Sequence, residues 1–379
     1  MSQERLFTPG PTPIPPSVLE VLAKPIIHHR TAEFQTVLAR VTAGLMRVFK
    51  TKQPVLSLTA SGSGGLEAAL VNLASPGETV AVLHAGKFGE RWVKIARAYG
   101  LKVVELANRW GEHFEPEQVA EFLAGEAKEA TMLLMTHSET STGVLNDLEA
   151  IAKVARTHNK LVVADVVTSL GVHPIEFDAW GLDAVISGSQ KGMMLPPGMA
   201  MVAFSDRAWE KNKSATLPRF YLDLRSARDN INKNSTPFTP PVPVVLAMEE
   251  SIRLMEEEGL DNVYARHARH ANACRAAVKA FGLEMFAQRP SNGLTAVRTP
   301  EGKDSTELVK NLREQHGFRI AGGQAPMKGK LFRLGHMGYY NDQDIRDLIQ
   351  AVGTVMADLG WSSTSADEAV NAVLTGASS

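Results

Sequence analysis

A chain of 379 residues, 44% hydrophobic and 21% charged, is too long for one small core and predicts two domains, or one large α/β domain with an appendage. A formal net charge of −1 offers nothing for nucleic acid or an anionic membrane surface to grip. The only cysteine, Cys274, excludes an intrachain disulfide, no apolar run reaches the length of a membrane-spanning helix, and Met1-Ser2-Gln3-Glu4-Arg5 lacks the basic start and apolar core of a leader, so a cytoplasmic chain is expected.

In chain order, the first 30 residues carry Thr8-Pro9-Gly10-Pro11-Thr12-Pro13 and Pro15-Pro16, a proline density that predicts an extended arm without helix. Residues 33–49 then show helical apolar spacing at Phe34, Val37, Leu38, Val41, Leu45 and Val48. Seven short apolar runs follow: Val55–Leu58, Val80–Leu83, Lys102–Leu106, Thr131–Met135, Leu161–Val167, Ala184–Ser187 and Met199–Phe204. Most are continuous rather than alternating, which suits strands covered on both faces. Helical intervals at Gly86–Tyr99, Pro116–Glu126 and Leu148–His158 separate several of them, the signature of a mostly parallel sheet between helices. Residues 214–243 break this rhythm with a rigid polar loop around Asn234–Pro241, and a long helix is predicted from Val244 to Phe281. The remainder, with strands in Leu283–Arg298, Phe318–Ala321 and Lys330–Leu334 and helices at Ser305–Gln315 and Asp342–Leu359, reads as a small α+β domain. The domain reading is an arm over 1–30, a large domain over 31–260, a small domain over 261–361, and a flexible tail over 362–379 with room for one short helix.

Three features along the strand ends carry chemistry. The turn Thr59-Ala60-Ser61-Gly62-Ser63-Gly64-Gly65 follows a strand and opens a helix, where free N–H groups and the helix dipole favour a phosphate. Asp165 ends the apolar run Leu161-Val162-Val163-Ala164, and an acid so placed needs a partner such as a pyridinium N–H. Lys191 lies among small residues in Ser187-Gly188-Ser189-Gln190-Lys191-Gly192, just past another strand. Taken singly, each has a plain reading: an ordinary glycine turn, a strand-end cap, a surface lysine. Taken together they are what pyridoxal 5′-phosphate (PLP) requires, an amine to bond its aldehyde, a carboxylate for its ring nitrogen and a cradle for its phosphate. Phe88 could stack on a planar ring, and Arg333 in Leu331-Phe332-Arg333-Leu334 could hold a carboxylate or sit in a surface ion pair. Cys274 reads as helix filler, and the 11 histidines show no metal spacing, so no metal is expected.

Together, Ser187–Gly192, Thr136-His137-Ser138-Glu139-Thr140-Ser141-Thr142-Gly143 and Ala164-Asp165 resemble the class V aminotransferases of PLP fold type I, in the alanine–glyoxylate and serine–pyruvate group. The likeness runs from Leu6-Phe7-Thr8-Pro9-Gly10-Pro11-Thr12 to Leu331–Gly338. It implies an α/β fold with a seven-stranded mostly parallel sheet and a smaller C-terminal domain. It also implies that Lys191 bonds the cofactor and shuttles protons, Asp165 holds the ring nitrogen, and Phe88 and Val167 cover the two ring faces. Ser63, Gly64, Gly65 and Gln190 would contact the phosphate, Thr140 would lie by the ring hydroxyl, Arg333 would grip the substrate carboxylate, and Gly10 would stand at the entrance. Thr236 and Thr239 would reach the phosphate of a neighbouring subunit, making a homodimer with shared sites. Two departures stand out: Gly65 and Thr236 occupy positions where some relatives carry histidine and tyrosine, so the phosphate cup loses side-chain contacts.

The expected reaction is ping-pong transfer of an amino group from a small amino acid such as alanine, serine or glycine to a 2-oxo acid such as glyoxylate or pyruvate. One carboxylate-binding arginine favours small substrates over dicarboxylates. The alternatives are another PLP reaction on the same fold (a lyase, or a transaminase of phosphonate, ureidoglycine or pyridoxamine type) and a non-catalytic hydrogenase-associated subunit. A desulfurase would need a cysteine on a mobile loop, which a helical Cys274 does not provide.

Overall fold

The computed structural model describes residues 4–376; Met1–Gln3, on which part of the leader reading rests, and the last three residues of the tail lie outside them. The seven apolar runs form one sheet, in the spatial order Leu56–Thr59, Met199–Phe204, Ala184–Gly188, Leu161–Asp165, Met132–Thr136, Thr79–His84, Lys102–Ala107. All neighbours are parallel except that Met199–Phe204 runs antiparallel to both of its own. Continuous apolar sequence follows from burial on both faces: every residue of Met132–Thr136 and Leu161–Asp165 is buried, whereas the edge strand keeps Lys102 exposed. Asp165, Gly188 and the turn before the helix Gly62–Leu73 all fall at strand ends, which brings distant parts of the chain to one crevice.

Two apolar clusters organise the packing. The first runs from Val18 through the sheet and its helices to Val263; the second joins Ala273, Leu308, Phe332, Leu348 and Val352 with Phe7 from the N-terminal segment. A small antiparallel sheet, Leu294–Arg298, Leu331–Gly335 and Ala321–Gly322, carries Arg333 at its centre.

Four expectations change. The arm over 1–30 contains a helix, Pro16–Leu22, because Pro16 stands at its first position, where no N–H partner is needed. The arm is also fastened: Arg5–Leu6 pairs with Phe318–Arg319, and the Phe7 ring stacks on Tyr340 at 4.9 Å between centroids. The long helix predicted from Val244 to Phe281 is two, Val242–Glu258 and Leu260–Ala280, parted at Gly259, whose φ of +84° leaves the helical region. Within 214–243, Leu224–Ile231 is a helix capped by Asp223, which accepts from Arg225 N–H, and it buries Leu224, Ala227 and Ile231. In the tail, Asp367–Thr375 is the one short helix, and it is docked rather than loose, with Val370 and Leu374 buried in the second cluster.

Candidate active site

Lys191 follows the strand Ala184–Gly188, and its amine donates to the carbonyl of Pro9. The arm therefore crosses directly over it. A Cβ on Gly10 would come within 2.2 Å of Lys191 Nζ, and Gly10 has φ +107°, so both space and backbone conformation require glycine there. Thr12 Oγ1 donates to the Lys191 carbonyl at 3.0 Å, fixing the arm on the other side of the lysine. Burial lowers the Lys191 amine to about 8; the Asp165 charge opposes this, while Arg333 and Arg91 add to it.

Asp165 is buried at the end of its strand, and Val167 N–H donates to its Oδ1 at 2.8 Å. Burial pushes its carboxyl up to about 7, with the Val167 bond, Arg91 and Lys191 pulling down and Glu139 pushing up. Val167 in turn packs on the helix start, since a Cβ on Gly62 would lie 2.7 Å from Val167 Cγ2.

The helix that the glycine turn opens begins at Gly62. Gly64 and Gly65 N–H groups donate to Ser61 O, at 2.9 and 3.2 Å, while the Gly62 and Ser63 N–H groups have no protein acceptor among the described residues. Gly65 answers to packing instead: a Cβ there would sit 2.7 Å from Ile186 Cγ2 and 3.1 Å from Ala200 Cβ, so its absence lets the helix lie close on the sheet. Gln190 stands beside this turn, where the Cβ position of Gly188 is 3.1 Å from Gln190 Oε1 and 3.4 Å from Gly62 N, and that Oε1 is buried without a hydrogen-bond partner.

Phe88 immediately precedes the helix Gly89–Ala98, and the Arg91 guanidinium lies over its ring at 4.7 Å. Thr140 and Thr168 hydroxyls bond each other at 2.9 Å, tying the 138–141 segment to the loop after Asp165. Arg333 is buried, not paired at the surface: its guanidinium donates to Thr140 O at 2.9 Å and to Gly322 O at 2.8 and 3.2 Å, with no ion pair to a carboxylate among the described residues. Burial lowers it to about 10. A buried cation satisfied only by carbonyls retains its charge for an incoming anion.

Contacts thus link Lys191, Asp165, Val167, Gln190, Ser63, Phe88, Thr140, Arg333 and Gly10 into one neighbourhood. Thr236 and Thr239 do not hydrogen-bond into it within the chain; Thr236 Oγ1 donates to Phe238 O at 2.7 Å, and its carbonyl accepts from Arg30 at 2.7 Å. Two contributors are absent from the sequence reading. Glu139, fully buried, accepts from Phe88, Gly89 and Ser141 N–H and from Ser141 Oγ, so it caps the helix that Phe88 introduces. Arg91 reaches Ser63 Oγ at 2.9 Å. Glu139 stands inside a motif quoted for other residues, and Arg91 one helical turn after Phe88; no spacing rule singles out either. Cys274 is buried in the helix Leu260–Ala280, its thiol pushed up to about 12, as expected of filler.

The Aminotransferase class-V family model matches residues 5–346. Among curated proteins, the soluble hydrogenase 42 kDa subunit of Anabaena cylindrica is 44% identical over 359 residues, covering 94% of each chain. The L-aspartate–glyoxylate aminotransferase of Paracoccus denitrificans is 38% identical over 366 residues, 95% of this chain and 92% of the other. A solved aspartate aminotransferase of subgroup IV from Thermus thermophilus superposes with a TM-score of 0.88 at 37% identity, covering 93% of this chain and 99% of that one. No helix among the described residues is long and apolar enough to cross a membrane. An amine near neutrality, a buried acid at a strand end, open N–H groups at a helix start and a family match over nearly the whole chain agree: the chain is a PLP-dependent enzyme of the class V aminotransferase family, with fold type I architecture.

Proposed function

We propose that this aminotransferase moves the amino group of a small amino acid, of the alanine, serine or glycine type, to a 2-oxo acid such as glyoxylate or pyruvate, in the cytoplasm and as a homodimer with shared sites. The observation that carries the substrate reading is Arg333, a buried guanidinium held by Thr140 and Gly322 carbonyls without a carboxylate partner. The site fits PLP on its own evidence: the unpartnered Gln190 Oε1, the open Gly62 and Ser63 N–H groups and a buried acid beside a lysine lowered to about 8.

When bound, PLP supplies the aldehyde that takes up the amino group and the ring that withdraws electrons from the substrate's α-carbon. Lys191 would be the amine that holds the aldehyde and the base that moves the substrate's α-proton, and its lowered pKa keeps it partly neutral for both. Asp165 would accept from the ring N–H and offset its positive charge, Phe88 and Val167 would cover the ring, and Thr140 would bond its hydroxyl. Gly62 and Ser63 N–H groups, with the Ser63 and Gln190 side chains, would receive the phosphate, and Thr236 and Thr239 of a second subunit would complete that seat. Arg333 orients the substrate carboxylate with its remaining N–H hydrogens. Pro9 and Gly10 close over Lys191 and exclude water from the proton transfer.

Aspartate as donor is a second reading, favoured by the likeness to the L-aspartate–glyoxylate aminotransferase of Paracoccus denitrificans and the aspartate aminotransferase of Thermus thermophilus. Adding L-alanine, L-serine, glycine or L-aspartate separately to the PLP-loaded protein tests both. Bleaching of the visible cofactor band by a small donor supports the first reading, bleaching by aspartate alone supports the second, and no bleaching by any amino acid removes both.

A further inference from the structure

We propose that Arg91 is the cationic partner of the cofactor's phosphate, an assignment that rests on reading the Ser61–Gly65 turn as the phosphate seat. A phosphate ester carries close to two negative charges at neutral pH, yet the turn itself offers no cation: Gly62, Gly64 and Gly65 have no side chain, and Ser63 is neutral. Only the first two N–H groups of the helix stay open, so the main chain alone leaves the charge poorly matched.

Arg91 comes from the neighbouring helix, Gly89–Ala98, and its Nη1 donates to Ser63 Oγ at 2.9 Å. Because the serine oxygen accepts that bond, its own hydroxyl proton is free to be donated to a phosphate oxygen. The guanidinium is held over the Phe88 ring at 4.7 Å, and Phe88 N–H is held by Glu139, so the cation is braced from two sides. Among the described residues it forms no ion pair. A planar fork with unused N–H groups, aimed at a serine beside open helix N–H groups, matches a phosphate bidentately.

The test uses the full-length cofactor-free protein and two probes, PLP and pyridoxal, the second lacking the phosphate. Dissociation constants are measured by equilibrium dialysis for wild type, R91Q and R91K. R91Q is expected to weaken PLP by about 10–100-fold and leave pyridoxal within about twofold, with R91K, which keeps the charge but not the fork, recovering part of the loss. Equal weakening of both probes would make Arg91 a support for Phe88 rather than a phosphate ligand, and unchanged PLP binding would remove any role; both overturn the proposal. A wild type that binds pyridoxal as tightly as PLP overturns the phosphate seat itself, a failure distinct from that of Arg91. Should R91Q not fold, R91H titrated from about pH 5 to 8 beside wild type makes the same comparison. Its preference for PLP over pyridoxal, relative to wild type at each pH, must fall as the imidazole loses its charge; a preference that tracks wild type overturns the assignment.

Discussion

At the residue scale, the site works by burying groups that ordinarily sit in water. Lys191 is lowered to about 8 because burial disfavours the ammonium, and the direction decides its chemistry. Capture of PLP by the free protein needs the neutral amine, so its rate should rise with pH to a midpoint near 8 rather than in the ordinary lysine range; stopped-flow mixing across pH 6.5–10 gives that midpoint directly. Lys191→Ala should lose the visible band and turnover, by on the order of 10³-fold or more, with unchanged circular dichroism; near-normal turnover would remove Lys191 from the mechanism. Arg333→Gln should raise KM for the donor by about 10–100-fold, the weight of a charged hydrogen bond, and leave PLP affinity unchanged. If PLP affinity falls instead, Arg333 serves mainly to hold the 138–141 segment through Thr140.

At the element scale, glycine does two different jobs in one turn. Gly62 allows Val167 to approach, whereas Gly65 lets the helix Gly62–Leu73 settle on Ile186 and Ala200. Gly65→Ala must push the helix outward or displace Ile186, at a cost of about 1–3 kcal/mol, and the shift moves the phosphate donors with it. Denaturant unfolding and PLP affinity should therefore both weaken in this variant; a loss of affinity without a loss of stability would return Gly65 to a direct contact. The arm shows the same coupling. Phe7 stacks on Tyr340 in the second cluster while Pro9 and Gly10 lie against Lys191, so the short stretch between them links that cluster's packing to the Lys191 amine.

At the scale of the whole molecule, buried histidines tie distant segments of the chain together. His173 accepts from Asn292 N–H at 3.0 Å, and His267 accepts from Gly338 N–H at 2.9 Å. Burial lowers His173 to about 4 and holds His137, His267 and His336 well below the usual histidine range. Their neutral forms are favoured only in the folded chain, so their contribution is complete above pH 6.5, the ordinary histidine value, and is lost as pH falls from 6.5 toward 4. Asp165 acts in the opposite sense in the cofactor-free protein, because its raised carboxyl is relieved by protonation. The urea midpoint should decline as pH falls through this window, and His173→Gln should flatten the decline; an unchanged decline in that variant would show that His173 titrates alike in the folded and unfolded chain.

The seven strands were legible because burial on both faces demands continuous apolar runs, and Lys191, Asp165 and the glycine turn were legible because reactive groups gather where such strands end. Local pattern also settled Cys274 as filler. It could not settle what depends on contacts between distant segments. Helix Leu224–Ile231 rests on a cap and three buried side chains, the break at Gly259 on one backbone angle, and the helix Asp367–Thr375 on a groove built by other residues. The same holds for Arg333, Glu139 and Arg91. As letters, Glu139 and Arg91 carry no signal of their own, and Arg333 leaves a carboxylate holder and a surface ion pair both open. Only the folded chain surrounds Arg333 with carbonyls, aims four donors at Glu139 and sets Arg91 between Ser63 and Phe88, because charge acquires meaning from desolvation and partners, and both are properties of three dimensions.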